Sequence, residues 1–238
     1  MALLGTIVNG VAIIIGGLLG LVFRNISEKM RATVMQGIGL AIIILGIGMG
    51  LKSKQYLIVI SSIAIGSVFG EMWDLEGKMN ALGDWLEKKV GNKNRGSISK
   101  GFVTATLVYV VGAMAIVGAL DSGLRLDHTV LFTKSMLDGI SSIIFTSALG
   151  LGVLFSAVPV IIYEGILTLL ATQIHALVPE VLMNQMILEV TAVGGILIVA
   201  IGLNMLKITT IRIANMLPSL VVTILLILLV NRFPILNM

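Results

Sequence analysis

Residues 1–23 read MALLGTIVNGVAIIIGGLLGLVF, with no charged side chain before Arg24. A helix needs about 20 consecutive apolar residues to cross the ~30 Å hydrocarbon core of a bilayer, and this run has that length. A cleavable leader opens with basic residues and ends at a small-residue site. Here the first bases, Arg24, Lys29 and Arg31, come only after the run. The stretch is therefore expected to be a first membrane-spanning helix.

The same pattern recurs along the 238 residues, of which 57% are hydrophobic and only 12% charged, with a mean hydropathy of +1.08. Soluble domains carry about 25% charged residues, so a soluble fold, a nucleic-acid binder and a disordered chain are excluded. Eight runs are predicted to span: 2–23, 34–51, 56–73, 101–120, 135–153, 154–173, 186–206 and 216–230. No polar loop parts the fifth from the sixth, only Gly150, Gly152, Ser156 and Pro159. A broken or re-entrant segment fits there, because a bilayer tolerates irregular backbone that is buried in protein. The expected fold class is an all-α polytopic integral membrane protein with about eight transmembrane helices.

Sixteen Lys and Arg against twelve Asp and Glu leave a net +4. In a membrane protein that excess gathers in cytoplasmic loops and meets anionic lipid, so no nucleic-acid partner is needed to explain it. With the N-terminus outside, Arg24, Lys29, Arg31, Lys78, Lys88, Lys89, Lys93, Arg95, Lys100, Lys207 and Arg212 fall inside, eleven in all. Lys52, Lys54, Arg125, Lys134 and Arg232, five in all, fall outside. The bias predicts a multi-pass protein of the bacterial cytoplasmic (inner) membrane with both termini outside. In the longest inner loop Leu75, Met79, Leu82 and Leu86 recur at helical spacing, with Trp73 and Trp85 near the ends and Glu87, Lys88 and Lys89 on the far side. That describes a helix lying in the interface, with a docking surface for a soluble partner as the alternative.

Glycine, 27 residues in all, sits largely inside the spans, and Gly16–Gly20, Gly46–Gly50 and Gly66–Gly70 each make a small-xxx-small frame. Such frames let helix backbones approach closely in lipid, within one bundle or between copies in a homo-oligomer. An internal echo also runs through the chain. Laying 34–51 over 136–153 matches Gly37 with Gly139, Ile38 with Ile140, Ile42 with Ile144, Gly48 with Gly150 and Gly50 with Gly152. Three spans are an odd number, so the second unit would enter the bilayer inverted, an arrangement found in secondary transporters. The segmentation is then 1–73 as a first three-helix repeat, 74–100 as a cytoplasmic amphipathic helix and linker, 101–175 as a second, inverted repeat, and 176–238 as two additional C-terminal helices.

Ionisable groups within spans are functional candidates by default, since each is costly to insert. Glu164 lies mid-span, after Pro159 and before Gly165, where a carboxyl could carry a proton, bind a cation, or simply bond a neighbouring helix. Lys134 and Asp138 stand at i and i+4, on one helical face, with Ser141 and Ser142 nearby. Asn9 and Asn215 complete the candidate solute-binding set. Glu71 and Glu189 are read as shallow, interfacial carboxylates. There is no cysteine, and the two histidines, His128 and His175, lack HExxH spacing. No catalytic residue, cofactor or metal site is expected, including one from Asp127, His128, His175 and Glu180.

GTIVNGVAIIIGGLLG at 5–20, VGAMAIVGALDSGL at 111–124, KSMLDG at 134–139, GLGVLFSAVPVIIYEG at 150–165 and NMLPSL at 215–220 together resemble the bacterial membrane family of unknown function 554, the YdfK/YqgA-like proteins. The resemblance implies a polytopic inner-membrane protein regarded as a transporter, with no substrate attached. Its motif positions fall on Asn9, Gly112, Met114, Asp121, Lys134, Asp138, Glu164, Asn215 and Pro218. It also implies glutamine in many relatives at the position of Glu164, which moves weight to Lys134 and Asp138. The expected function is a secondary transporter or permease for a small polar or charged solute, coupled to an ion or proton. The alternatives are a scaffold that recruits a partner through the inner amphipathic helix, and an oligomeric channel-like pore.

Overall fold

The computed structural model describes residues 1–22, 28–90 and 97–232. Phe23, Arg24, Lys93 and Arg95, used above for the first span and for orientation, lie outside the described residues, as do the side chains of Arg31, Leu86 and Glu87. Among the described residues all regular structure is helical: α1 Leu4–Val22, α2 Glu28–Gly50, α3 Tyr56–Met72, α4 Leu75–Val90, α5 Ser97–Val110, α6 Ala113–Arg125, α7 Thr129–Leu149, α8 Gly152–Phe155, α9 Ala157–Leu169, α10 Ala171–Leu177, α11 Glu180–Met205 and α12 Pro218–Arg232, the last preceded by a 3₁₀ turn at Ala214–Met216. Five stretches are unbroken and apolar enough to cross a membrane: Leu4–Val22, Ala32–Gly50, Gly152–Leu169, Glu180–Met205 and Ala214–Arg232. Two bent pairs, α3 with α4 and α5 with α6, raise the number to seven if each pair is one span.

Helix α7 corresponds to the expected run 135–153 but is less apolar than these five stretches. At 1.5 Å per residue its 21 residues reach about 31 Å, so length is not the obstacle. Its polar side chains are turned inward: Lys134, Ser135, Asp138 and Ser142 are buried while Met136, Leu137 and Ile140 are exposed. The discontinuity expected near 150–159 takes the form of a tight reversal. Gly150 caps α7 with φ 86 and ψ −164, a conformation open essentially only to glycine, and α8 begins two residues later. The bend of 61° lies instead in the fourth run, between α5 and α6.

Packing divides the chain into two compact units, Met1–Met35 with Met79–Leu177, and Gln36–Lys78 with Val178–Met238. These cut across the segments drawn from the sequence, because α1 packs on α7 and α9 while α3 packs on α11 and α12. In the first unit α1 reverses the usual sorting of a soluble helix. Gly5, Thr6, Asn9, Gly10, Gly16, Gly17 and Gly20 face inward, and Ile7, Val11, Ile14, Ile15, Leu18 and Leu19 face outward. Lipid is as apolar as leucine, so close backbone contact rather than burial of aliphatic groups drives such packing. A Cβ on Gly16 would overlap the carbonyl oxygen of Gly139, and one on Gly20 would meet the Ile143 carbonyl at 2.5 Å. Deeper in this unit Tyr109 stacks on Phe145 and shares a 2.9 Å hydrogen bond with Ser142.

In the second unit Ile58, Met186 and Ile227 form one apolar cluster and Val59, Ala192 and Val193 another. Gly46 lies against the Gly195 carbonyl, and Gly66 and Gly70 lie against Ser219 and Asn215. The small-residue frames of α1, α2 and α3 are thus occupied by packing inside their own units. Two of the glycine pairs in the internal echo have unlike surroundings: a Cβ on Gly37 would meet nothing within 4 Å while one on Gly139 would lie 3.3 Å from the Ala12 carbonyl oxygen, and a Cβ on Gly50 would meet Ile196 at 3.8 Å while one on Gly152 would overlap the Ile98 carbonyl oxygen.

Candidate functional site

Three helices of the first unit place the site. On α7, Lys134, Asp138 and Ser142 follow each other at four-residue spacing and share a face. On α9, Glu164 sits one turn below Thr168, and on α1 Thr6 and Asn9 are three residues apart. Helices α1 and α9 run antiparallel in a readable register: Gly10 faces Ile161, Asn9 bonds Glu164, and Thr6 and Leu3 come up to Gly165. The glycines on α1 and at Gly139 let polar groups from three helices converge where bulkier residues would hold the backbones apart.

At the centre, Asn9 Nδ2 donates to Glu164 Oε1 at 2.8 Å, and Lys134 Nζ lies 3.3 Å from the same oxygen. Lys134 also forms a buried ion pair with Asp138. Asn9 and Glu164 have no solvent exposure, and Lys134 and Asp138 retain 6% and 8%. One ammonium therefore serves two carboxylates away from solvent. A buried charge is retained only when paired and hydrogen-bonded, and this arrangement satisfies Lys134 while leaving Glu164 Oε2 and Asn9 Oδ1 without partners.

The structure brings Asn9, Lys134, Asp138 and Glu164 together. Ser142 lies on the same face of α7 but bonds Tyr109, and the Ser141 hydroxyl donates to the Asp138 carbonyl oxygen. Asn215 belongs to the second unit and does different work. Its Oδ1 accepts the Glu76 backbone N–H at 2.7 Å, and its Nδ2 donates to Glu71. Glu76 in turn accepts the Ala214 N–H, and Arg212 pairs with the exposed Glu71. Asn215→Ala is expected to cost about 1–3 kcal/mol, the penalty for leaving such groups unpaired. Arg212→Ala, breaking an exposed pair, should cost below about 1 kcal/mol. Thermal unfolding of both variants in detergent checks the contrast, and equal shifts would show that Asn215 does not anchor this corner.

Glu189 departs from its sequence reading. It is 1% exposed, accepts the Ser53 hydroxyl at 2.5 Å and the Lys54 N–H at 3.0 Å, and so holds the α2–α3 connection. At the start of α7, Asp127 accepts the Thr129 hydrogen bonds that hold its carboxyl below the ordinary range, and His128 contacts Ser122. Among the described residues no three His, Cys, Asp or Glu side chains gather as metal ligands. Thr6, Thr168 and Tyr109 were not singled out by sequence. The signal was available for the first two, at three residues before Asn9 and four after Glu164, but threonine in an apolar helix is too common to stand out.

The match to known proteins covers nearly the whole chain. The family described as "Protein of unknown function (DUF554)" matches residues 4–228. The chain is 33% identical over 234 residues to "Uncharacterized membrane protein YdfK" of Bacillus subtilis (strain 168), covering 96% of this chain and 97% of that one. It is 28% identical over 225 residues to "Uncharacterized protein YqgA" of Escherichia coli (strain K12), covering 91% and 93%. No solved structure matches significantly.

Proposed function

The chain belongs to the DUF554 family, and we propose that this membrane protein is a secondary transporter or permease for a small polar or charged solute, coupled to an ion or proton. The observation that carries the reading is the buried Asn9–Glu164–Lys134–Asp138 cluster between α1, α7 and α9. Charge inside a membrane is costly and is kept where it lines a substrate or ion path. Lys134 offers a cation to an anionic solute group, and Asp138 offers a carboxylate to a cationic one. The internal ion pair occupies both until solute exchanges for it, so binding need not expose an unpaired buried charge.

In this reading α7, fifth in chain order, also crosses and brings the spans to eight, and the protein lies in the bacterial cytoplasmic membrane with both termini outside. The inverted 3+3 repeat would relate 1–73 to 101–175, and the bend between α5 and α6 supplies the interrupted helix on which transporters of that class rely. The test is uptake of radiolabelled amino acids, organic acids and nucleosides into proteoliposomes under sodium and proton gradients. Accumulation of one solute is expected, falling to the level of empty liposomes in Asp138→Asn while that variant still elutes as a folded species. Undiminished uptake in the variant would remove Asp138 from the site. Failure of every solute under both gradients would overturn the transport reading.

A further inference from the structure

We propose that the contact between α1 and α9 is a sodium-ion site, formed by Thr6 Oγ1, Asn9 Oδ1, Glu164 Oε2 and Thr168 Oγ1. These four oxygens are buried and have no hydrogen-bond partner, and their residues are between 0% and 2% exposed. Buried polar atoms of this kind are rare in native proteins, and each calls for an explanation. Of the eight such atoms among the described residues, four lie on the neighbouring helices α1 and α9. The antiparallel register puts them at one place along the two helices: with Asn9 bonded to Glu164, one turn along places Thr6 on α1 and Thr168 on α9 toward the same end.

Charge points to the same ligand. Lys134 supplies one positive charge against the two carboxylates of Asp138 and Glu164, and all three are buried. Their formal sum is −1, which a monovalent cation neutralises. Glu164 divides its duties, one oxygen taking Asn9 and Lys134 and the other left free. One free carboxylate oxygen with three neutral oxygens suits a hard monovalent ion. A divalent metal ordinarily takes more carboxylates or imidazoles, and a proton on Glu164 Oε2, donated to Asn9 Oδ1, would still leave the oxygens of Thr6 and Thr168 without a partner.

The site deepens the transport reading, since it names the coupling ion, but its test is binding and does not require flux. Purified full-length protein in detergent is titrated with sodium chloride against choline chloride at constant ionic strength and pH 8.5. Both Tm and scintillation-proximity binding of ²²Na⁺ are followed. Wild type is expected to show saturable ²²Na⁺ binding and a Tm rise of about 5 °C at saturation. Glu164→Gln keeps an acceptor for Asn9 and Lys134 but loses the charge, and should weaken sodium binding at least about tenfold.

Thr6→Val and Thr168→Val guard against misfolding of that variant. Each replaces an unpartnered hydroxyl with a methyl, so in choline their Tm should match or exceed that of wild type while the sodium-induced rise shrinks. A purely structural role for the threonines would move neither quantity in that opposed way. The site is overturned if wild type binds no ²²Na⁺, if its Tm follows pH alone, or if Glu164→Gln and both valine variants bind as wild type does. Sodium binding without any solute uptake would leave the site standing and remove the transport reading. Uptake on a proton gradient with no sodium binding would remove the site alone.

Discussion

Lys134→Met should lower the Tm of the detergent-solubilised protein by roughly 10 °C. Removing one partner of a buried ion pair costs about 3–5 kcal/mol, because the other charge is left uncompensated. At this chain length each kcal/mol is about 2–4 °C. Here two carboxylates lose their only described cation, Asp138 through its buried pair and Glu164 across 3.3 Å. Methionine keeps most of the length and volume of lysine, so the loss reads the charge rather than a cavity. The double variant Lys134→Met/Asp138→Asn discards one of the stranded carboxylates and should recover about half of the lost stability. A single-variant shift below about 2 °C would mean that the cluster is not held by this ammonium.

Gly16→Val is expected to be strongly damaging, at about 3 kcal/mol or a Tm loss of roughly 6–12 °C. A Cβ there collides with the carbonyl oxygen of Gly139 and comes within 2.9 Å of its carbon and 3.0 Å of Ser142 Cβ. Most of that is backbone, so no rotamer change relieves it and α1 must move away from α7. Since α1 carries Thr6 and Asn9 while α7 carries Lys134 and Asp138, the same displacement should weaken ligand binding along with stability. Gly48→Val is the control. Nothing lies within 4 Å of a Cβ at Gly48, and a shift within about 1 kcal/mol of wild type is expected. Equal effects at the two glycines would contradict the close α1–α7 approach.

The comparison of these glycines shows where sequence reading runs out. Gly16, Gly46 and Gly48 look alike in sequence, and each lies in an apolar run beside other glycines. Only the folded chain distinguishes a glycine pressed against a neighbouring carbonyl from one facing open space. The break between α5 and α6 was likewise invisible, because a glycine in an apolar run signals packing as readily as a bend. The weak junction near 150–159 was legible as punctuation, but its form as a reversal at Gly150 depends on a dihedral that no residue pattern states. Glu189 looked shallow because it lies near the polar end of its run, yet a loop from another part of the chain covers it.

Amphipathic α4 was legible by the spacing of Leu75, Met79 and Leu82 between two tryptophans, and Trp73 and Trp85 are exposed. So was the pairing of Lys134 with Asp138, since four residues is a local distance that a helix converts directly into contact. Sequence alone therefore determined the solvent, the helical class, the approximate limits of the apolar helices and the polar residues that need an explanation inside them. Each of these follows from local chemistry: hydrophobic length, helical period and the cost of a charge in hydrocarbon. Tertiary structure decided that Asn9, Glu164 and Lys134 meet, that Asn215 bonds Glu71 and Glu76 within its own unit, and that α1 packs with α7 and α9. Those choices depend on which backbones can approach, and small-residue surfaces of similar composition compete for the same close contacts until the whole chain has packed.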